Sequence, residues 1–189
     1  MDSQQRNVLL ETAKTAVYCA ITAAQRKSPA TQDPALLAHC GCFVTLHCRG
    51  ELRGCIGQFT ADRPLIEMVY DMAISSVLHD PRFAGERLTE KELGQVEIEI
   101  SVLSPMEKTD DPLSLELGKH GIYITDGIRS GCFLPQVATE TGWSKEEFLD
   151  YCCEHKAGLA AGTWRNNPRV SVLLFTAEVF GAPWTQIGE

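Results

Sequence analysis

The sequence lacks any apolar run near the ~20 residues needed to span a bilayer, so it offers no membrane-crossing helix. It also lacks low-complexity tracts, long runs of one charge and repeats of solenoid length, which predicts little disorder beyond the two ends. Basic residues are not in excess. The net charge of −8 argues against a generic phosphate-backbone binder, and Arg82, Arg87, Arg165 and Arg169 are too scattered to announce a basic patch. No C-x2-C knuckle exists: one residue separates Cys40 from Cys42, and Cys152 and Cys153 are adjacent, so no metal site is expected. Phosphate loops, G-x-G-x-x-G and G-x-S-x-G are absent too, and no cofactor is announced. The start, Met1 to Arg6, leads into a mixed helix and not an apolar segment, which predicts no secretory signal and a cytoplasmic location. The eight cysteines then read as reduced thiols, most of them small buried residues.

What remains is an ordinary globular chain. Its 189 residues, 44% hydrophobic and 22% charged, suit one domain or one domain with a small subdomain. Apolar spacing predicts an amphipathic helix over 4–26 and a second over Pro64–Leu78, with Pro64 in its first turn. Alternation predicts strands over 42–49, Leu52–Phe59 and, most clearly, Val96–Ser104. Thr89 and Ser144 open capping boxes, the second leading a helix that ends near Gly158. Asp126-Gly127 predicts a tight turn between strands over 122–125 and 128–134, and Pro135 opens a helix to about Thr141. Residues 105–113 read as a polar connection, Val170–Phe180 as a last central strand, and 181–189 as a surface extension. Hairpins mixed with helices, without βαβ alternation, predict an α+β protein with a mainly antiparallel sheet flanked by helices.

The most informative stretch is Gly50-Glu51-Leu52-Arg53-Gly54-Cys55-Ile56-Gly57. If Gly50-Glu51 forms a type II′ turn, Arg49 and Leu52 close the hairpin, and Leu46 lies opposite Cys55. Arg53 and Cys55 then share a face, and a nearby arginine favours the reactive thiolate. Gly54 and Gly57 leave room for a backbone or a ligand to approach. The competing reading makes Cys55 a small core residue beside Leu46.

His120, between Lys119 and Gly121, reads as a general base for Cys55 or as a surface-turn histidine. Asp80 and Arg82, held two apart by Pro81, either orient a polar substrate or pair with each other. Glu97 and Glu99 share one strand face, suited to acid–base work or simply to solvent.

Leu52-Arg53-Gly54-Cys55-Ile56-Gly57 resembles the signature of the AMMECR domain family. Supporting stretches are Gly41–Leu46, Asp80–Phe83, Glu97–Ser104, Lys119–Ile122, Leu134–Ala138 and Lys156–Leu159, so the resemblance covers about residues 6–180. One departure is Ala84-Gly85, where the family often carries prolines. The resemblance implies a larger and a smaller subdomain with a cleft between them, a cytoplasmic protein, and association with radical-SAM and Memo-type proteins. It names no reaction. It favours a thiol-dependent enzyme with Cys55 as nucleophile, activated by Arg53 and His120. Asp80, Arg82, Gln136 and Glu99 would bind a polar small-molecule or protein substrate. The alternative is a non-enzymatic module binding a ligand or protein through the same residues.

Overall fold

A computed structural model describes residues 1–25 and 28–188. It contains helices α1 (Ser3–Thr22), α2 (Pro34–Leu37), α3 (Leu65–Leu78), α4 (Pro135–Thr141), α5 (Lys145–Cys152) and α6 (Thr163–Asn166). Its strands are β1 (Cys42–Cys48), β2 (Glu51–Gln58), β3 (Val96–Leu103), β4 (Glu107–Thr109), β5 (His120–Thr125), β6 (Ser130–Phe133) and β7 (Ser171–Pro183). The fold is α+β and the sheet pairs are antiparallel. Two compact units are present: Met1–Leu103 with Glu178–Glu189, and Ser104–Ala177. Among the described residues no helix is long and apolar enough to cross a membrane.

In the first unit the strand order is β2-β1-β3, followed by the end of β7. One face of this sheet is apolar because every second residue of β1 and β3 points to it. Cys42, Val44, Leu46, Cys48, Val96, Ile98 and Ile100 meet Leu9, Ala13 and Val17 of α1 and Met68, Val69 and Met72 of α3. Asp2 and Gln5 form a capping box that starts α1. The helix stops at Thr22, where Ala23 takes a left-handed conformation (φ 54°); the expected end, residue 26, lies outside the described residues. An L-residue is strained there, so Ala23→Gly is expected to stabilise the protein by about 0.5–1 kcal/mol in urea denaturation. An unchanged midpoint would remove the strain from the account.

The tail is not a surface extension. β7 runs on to Pro183, and Ile187 is buried in the first unit's core. Lys14 fixes it there: its Nζ donates to the Ile187 carbonyl (2.7 Å) and lies over the Trp184 ring.

The second unit buries Ile122, Ile124, Phe133, Phe148, Leu149, Trp164 and Val172. Here the start of β7 is flanked by β5 and by β4, a strand inside the stretch read as a polar connection. The β5–β6 turn is wider than two residues, since Thr125 pairs with Ser130. The Asp126 carboxylate organises the four residues between, accepting from the backbone N–H of Ile128 and Arg129. Ser144 caps α5 as its sequence predicts, and the helix continues through a π turn to Gly158 in a left-handed cap.

Candidate functional site

The β1–β2 hairpin turns one residue earlier than its glycine suggests. Arg49 and Gly50 are the central pair, with φ of 56° and 81°, the signs a type I′ turn requires. Cys48 therefore faces Glu51 and His47 faces Leu52. The register then shifts, because Arg53 is an extra residue: Leu46 pairs with Gly54 and Thr45 with Cys55. This bulge corrects the expected pairing of Leu46 with Cys55. Cys55 lies on the face of Thr45, away from the core, and is half-buried.

Both glycines of the motif are needed for protein packing. A Cβ on Gly54 would lie 2.2 Å from the Ser76 carbonyl oxygen of α3, and one on Gly57 would lie 2.3 Å from the Phe43 ring. The space expected for a ligand is thus filled. Ser76, fully buried, also works at this point of the sheet. Its hydroxyl accepts from Ile56 N–H (3.0 Å) and lies 2.7 Å from the Val44 carbonyl, between two groups of a paired position.

The groups around Cys55 come from three elements. Pro81 ends α3's run, and Asp80 caps the short turn Pro81–Phe83 by accepting from Arg82 N–H. The same carboxylate accepts from Cys55 N–H (2.9 Å) and from Arg82 Nε (2.9 Å) and Nη2 (2.6 Å). Arg82 Nη2 in turn donates to the Cys55 carbonyl (3.1 Å). The Asp80 side chain is 1% exposed, and Arg82's guanidinium, foremost, with the two backbone donors holds its carboxyl down to about 2. From β1, Thr45 Oγ1 donates to Cys55 Sγ (3.3 Å). The thiol is therefore held at its backbone N–H, its carbonyl and its sulfur.

Arg53 is placed elsewhere. Its guanidinium donates to Glu92 (2.9 Å) and to the Glu86 carbonyl (2.7 Å). The Glu92 carboxyl is lowered to about 2, first by Thr89 and then by Arg53. Asp80 and Arg82 pair with each other, the second of the two readings the sequence allowed.

Glu99 stands in the same cross-strand row as Cys55 and Thr45, being Thr45's partner on β3. The next row holds Leu52, His47 and Glu97. Thr45 and His47 escaped the sequence reading. The signal for them was present: strand alternation puts them opposite Val44, Leu46 and Cys48, and only the turn position had to be right.

His120 and Gln136 belong to the second unit. His120 Nδ1 accepts from Glu116 N–H (3.0 Å), which leaves Nε2 to carry the proton of the neutral ring. The residue lines an open cavity of about 470 Å³ with Glu107, Lys108 and Phe175. Gln136 is the second residue of α4 and half-buried. Among the described residues, no three His, Cys, Asp or Glu side chains converge as metal ligands would.

Burial pushes the thiols of Cys42 and Cys132 up to about 12 and that of Cys153 to about 11, and it raises Cys40 and Cys152 as well. Cys19 and Cys48 are buried.

This is an antiparallel α+β protein carrying a clamped, half-buried cysteine on the outward face of a three-strand segment. The chain belongs to the AMMECR1 family, whose model matches residues 10–180. It is 43% identical over 148 residues to protein MK0488 of Methanopyrus kandleri, covering 74% of this chain and 70% of that protein. It is 38% identical over 169 residues to protein PH0010 of Pyrococcus horikoshii, covering 84% and 80% respectively. The crystal structure of uncharacterized protein PH0010 superposes with a TM-score of 0.83 at 35% identity, over 96% of this chain and 93% of that one.

Proposed function

We propose that this protein is a thiol-dependent enzyme in which Cys55 is the nucleophile toward a polar substrate. The observation that supports the reading is the convergence of Asp80, Arg82 and Thr45 on one half-buried cysteine. A cysteine reacts as its thiolate, and Arg82 and Thr45 bring a cation and a hydroxyl donor to the residue that carries it. The activating cation in this reading is Arg82, because Arg53 is committed to Glu92 and Glu86. In this reading Glu99, the partner of Thr45 on the next strand, exchanges a proton with a substrate held over the row.

The same bonds also close the outer edge of β2, the last strand of the first unit's order, so they serve the fold as well. Alkylation separates the two roles. Brief treatment of the native protein with iodoacetamide at neutral pH, followed by peptide mass spectrometry, is expected to modify Cys55 before the other seven cysteines. Arg82→Gln is expected to slow that labelling by about tenfold as the thiolate loses its cation. Labelling of Cys55 no faster than the buried cysteines would defeat the enzyme reading and leave a binding module.

A further inference from the structure

The donors around Cys55 favour one kind of electrophile. Thr45 Oγ1 donates to the sulfur from β1 (3.3 Å), and the Arg82 guanidinium, from the turn after α3, reaches the carbonyl of the same residue (3.1 Å). Arg82 Nε and Nη2 are engaged by Asp80 and the Cys55 carbonyl; Nη1 is engaged by none of these bonds, and the side chain is 55% exposed. A cysteine with a hydroxyl on its sulfur and a guanidinium on its carbonyl can hold two adjacent oxygens at once, one beside the sulfur and one beside the cation. The O–O bond of a hydroperoxide fits that demand, because negative charge develops on the departing oxygen as the bond breaks.

We propose that Cys55 reduces hydroperoxides. This rests on the reading of Cys55 as the reactive thiol. The Cys55 thiolate attacks the terminal oxygen of ROOH. An S–O bond forms and the O–O bond breaks, two electrons pass from sulfur to the peroxide, and the departing RO⁻ takes a proton to leave as ROH. Cys55 becomes the sulfenic acid. Thr45 orients the attacked oxygen, and Arg82 stabilises charge on the leaving one.

The return step draws on thiols from outside the chain. Cys42 and Cys48 alternate to the core face of β1, and Cys40 packs against the same core. A small-molecule thiol attacks the sulfenic sulfur, releasing water and leaving a mixed disulfide. A second such thiol displaces Cys55 and restores it, so each turnover converts one ROOH and two thiols to ROH, water and a disulfide.

Stopped-flow oxidation of the reduced full chain, with dimedone trapping and peptide mass spectrometry, tests this. Hydrogen peroxide and cumene hydroperoxide are run as separate arms, and the faster arm identifies the R group. Sulfenate is expected at Cys55 at least about 100-fold faster than free cysteine reacts, the effect of one or two well-aimed donors. Thr45→Val should lower the ratio of peroxide rate to iodoacetamide rate by about tenfold or more. Selective alkylation of Cys55 with neither peroxide outrunning free cysteine would overturn the peroxide inference and leave the proposed function standing. Oxidation first at another cysteine would also overturn it. Absence of selective alkylation would remove both.

Discussion

Gly54→Ala is expected to destabilise the protein by about 3 kcal/mol or more, read as a drop in the urea midpoint. The added methyl carbon would sit 2.2 Å from the Ser76 carbonyl oxygen and 2.9 Å from its carbon. These are backbone atoms of a packed helix and cannot rotate aside. Relief requires moving α3 away from β2, and Ser76 is also the residue whose hydroxyl joins Ile56 to Val44. The entropy advantage of alanine over glycine in a strand, about 0.5–1 kcal/mol, is too small to offset this. A variant as stable as the parent would show that the helix does not approach the strand this closely.

Asp80→Ala is expected to cost about 2–3 kcal/mol, because it removes the acceptor of the Cys55 and Arg82 backbone N–H groups, while the half-exposed Arg82 guanidinium turns to water. Asp80 also predicts a pH dependence. Its carboxyl falls from an ordinary 3.8 to about 2 in the folded protein, chiefly through Arg82. A depressed folded value means the unfolded chain binds the proton first as pH falls. The contribution of about 2 kcal/mol is complete above pH ~4 and is lost progressively as pH drops through ~2. Urea midpoints measured from pH 5 to pH 2 should therefore fall more steeply for the native chain than for Asp80→Asn. Parallel curves would take Asp80 out of the acid response. Because Asp80 also accepts from Cys55 N–H, Asp80→Asn labelling with iodoacetamide reports whether the carboxylate's charge reaches the thiol.

Much of this architecture was legible before any coordinates. Alternation over 96–104 and the apolar stripe over 64–78 are strong local signals, and β3 and α3 follow them within a residue. The capping boxes at Thr89 and Ser144 stand where their spacing puts them. The hairpin register was not legible, for a specific reason. Gly50 is the obvious residue for a positive φ, but the turn also demands one of Arg49, and arginine gives no sign of accepting it. The bulge at Arg53 then shifts the pairing again, so Thr45, not Leu46, reaches Cys55. β4 was missed because three polar residues with no alternation carry no pattern. The tail was misread because Ile187 and its anchor Lys14 lie 173 positions apart, beyond any local rule. The motif's chemistry was partly visible: cysteine, aspartate and the two arginines were all singled out. Which arginine bonds to Cys55 depends on where the bulge and the turn at Pro81–Phe83 bring Arg82, 27 residues after the cysteine, and only the fold decides that.

The first unit draws on both the early and the late parts of the sequence, while the second is one uninterrupted stretch. On a ribosome the strands that carry Cys55 emerge first, yet the half of β7 that joins their unit, and Ile187 with it, is made only after the whole second unit. The second unit can reach its native form while its neighbour in the chain still waits for these residues. The nascent protein thus carries the Cys55 segment, its thiol already synthesised, in an unfinished unit until the residues beyond the second unit have emerged.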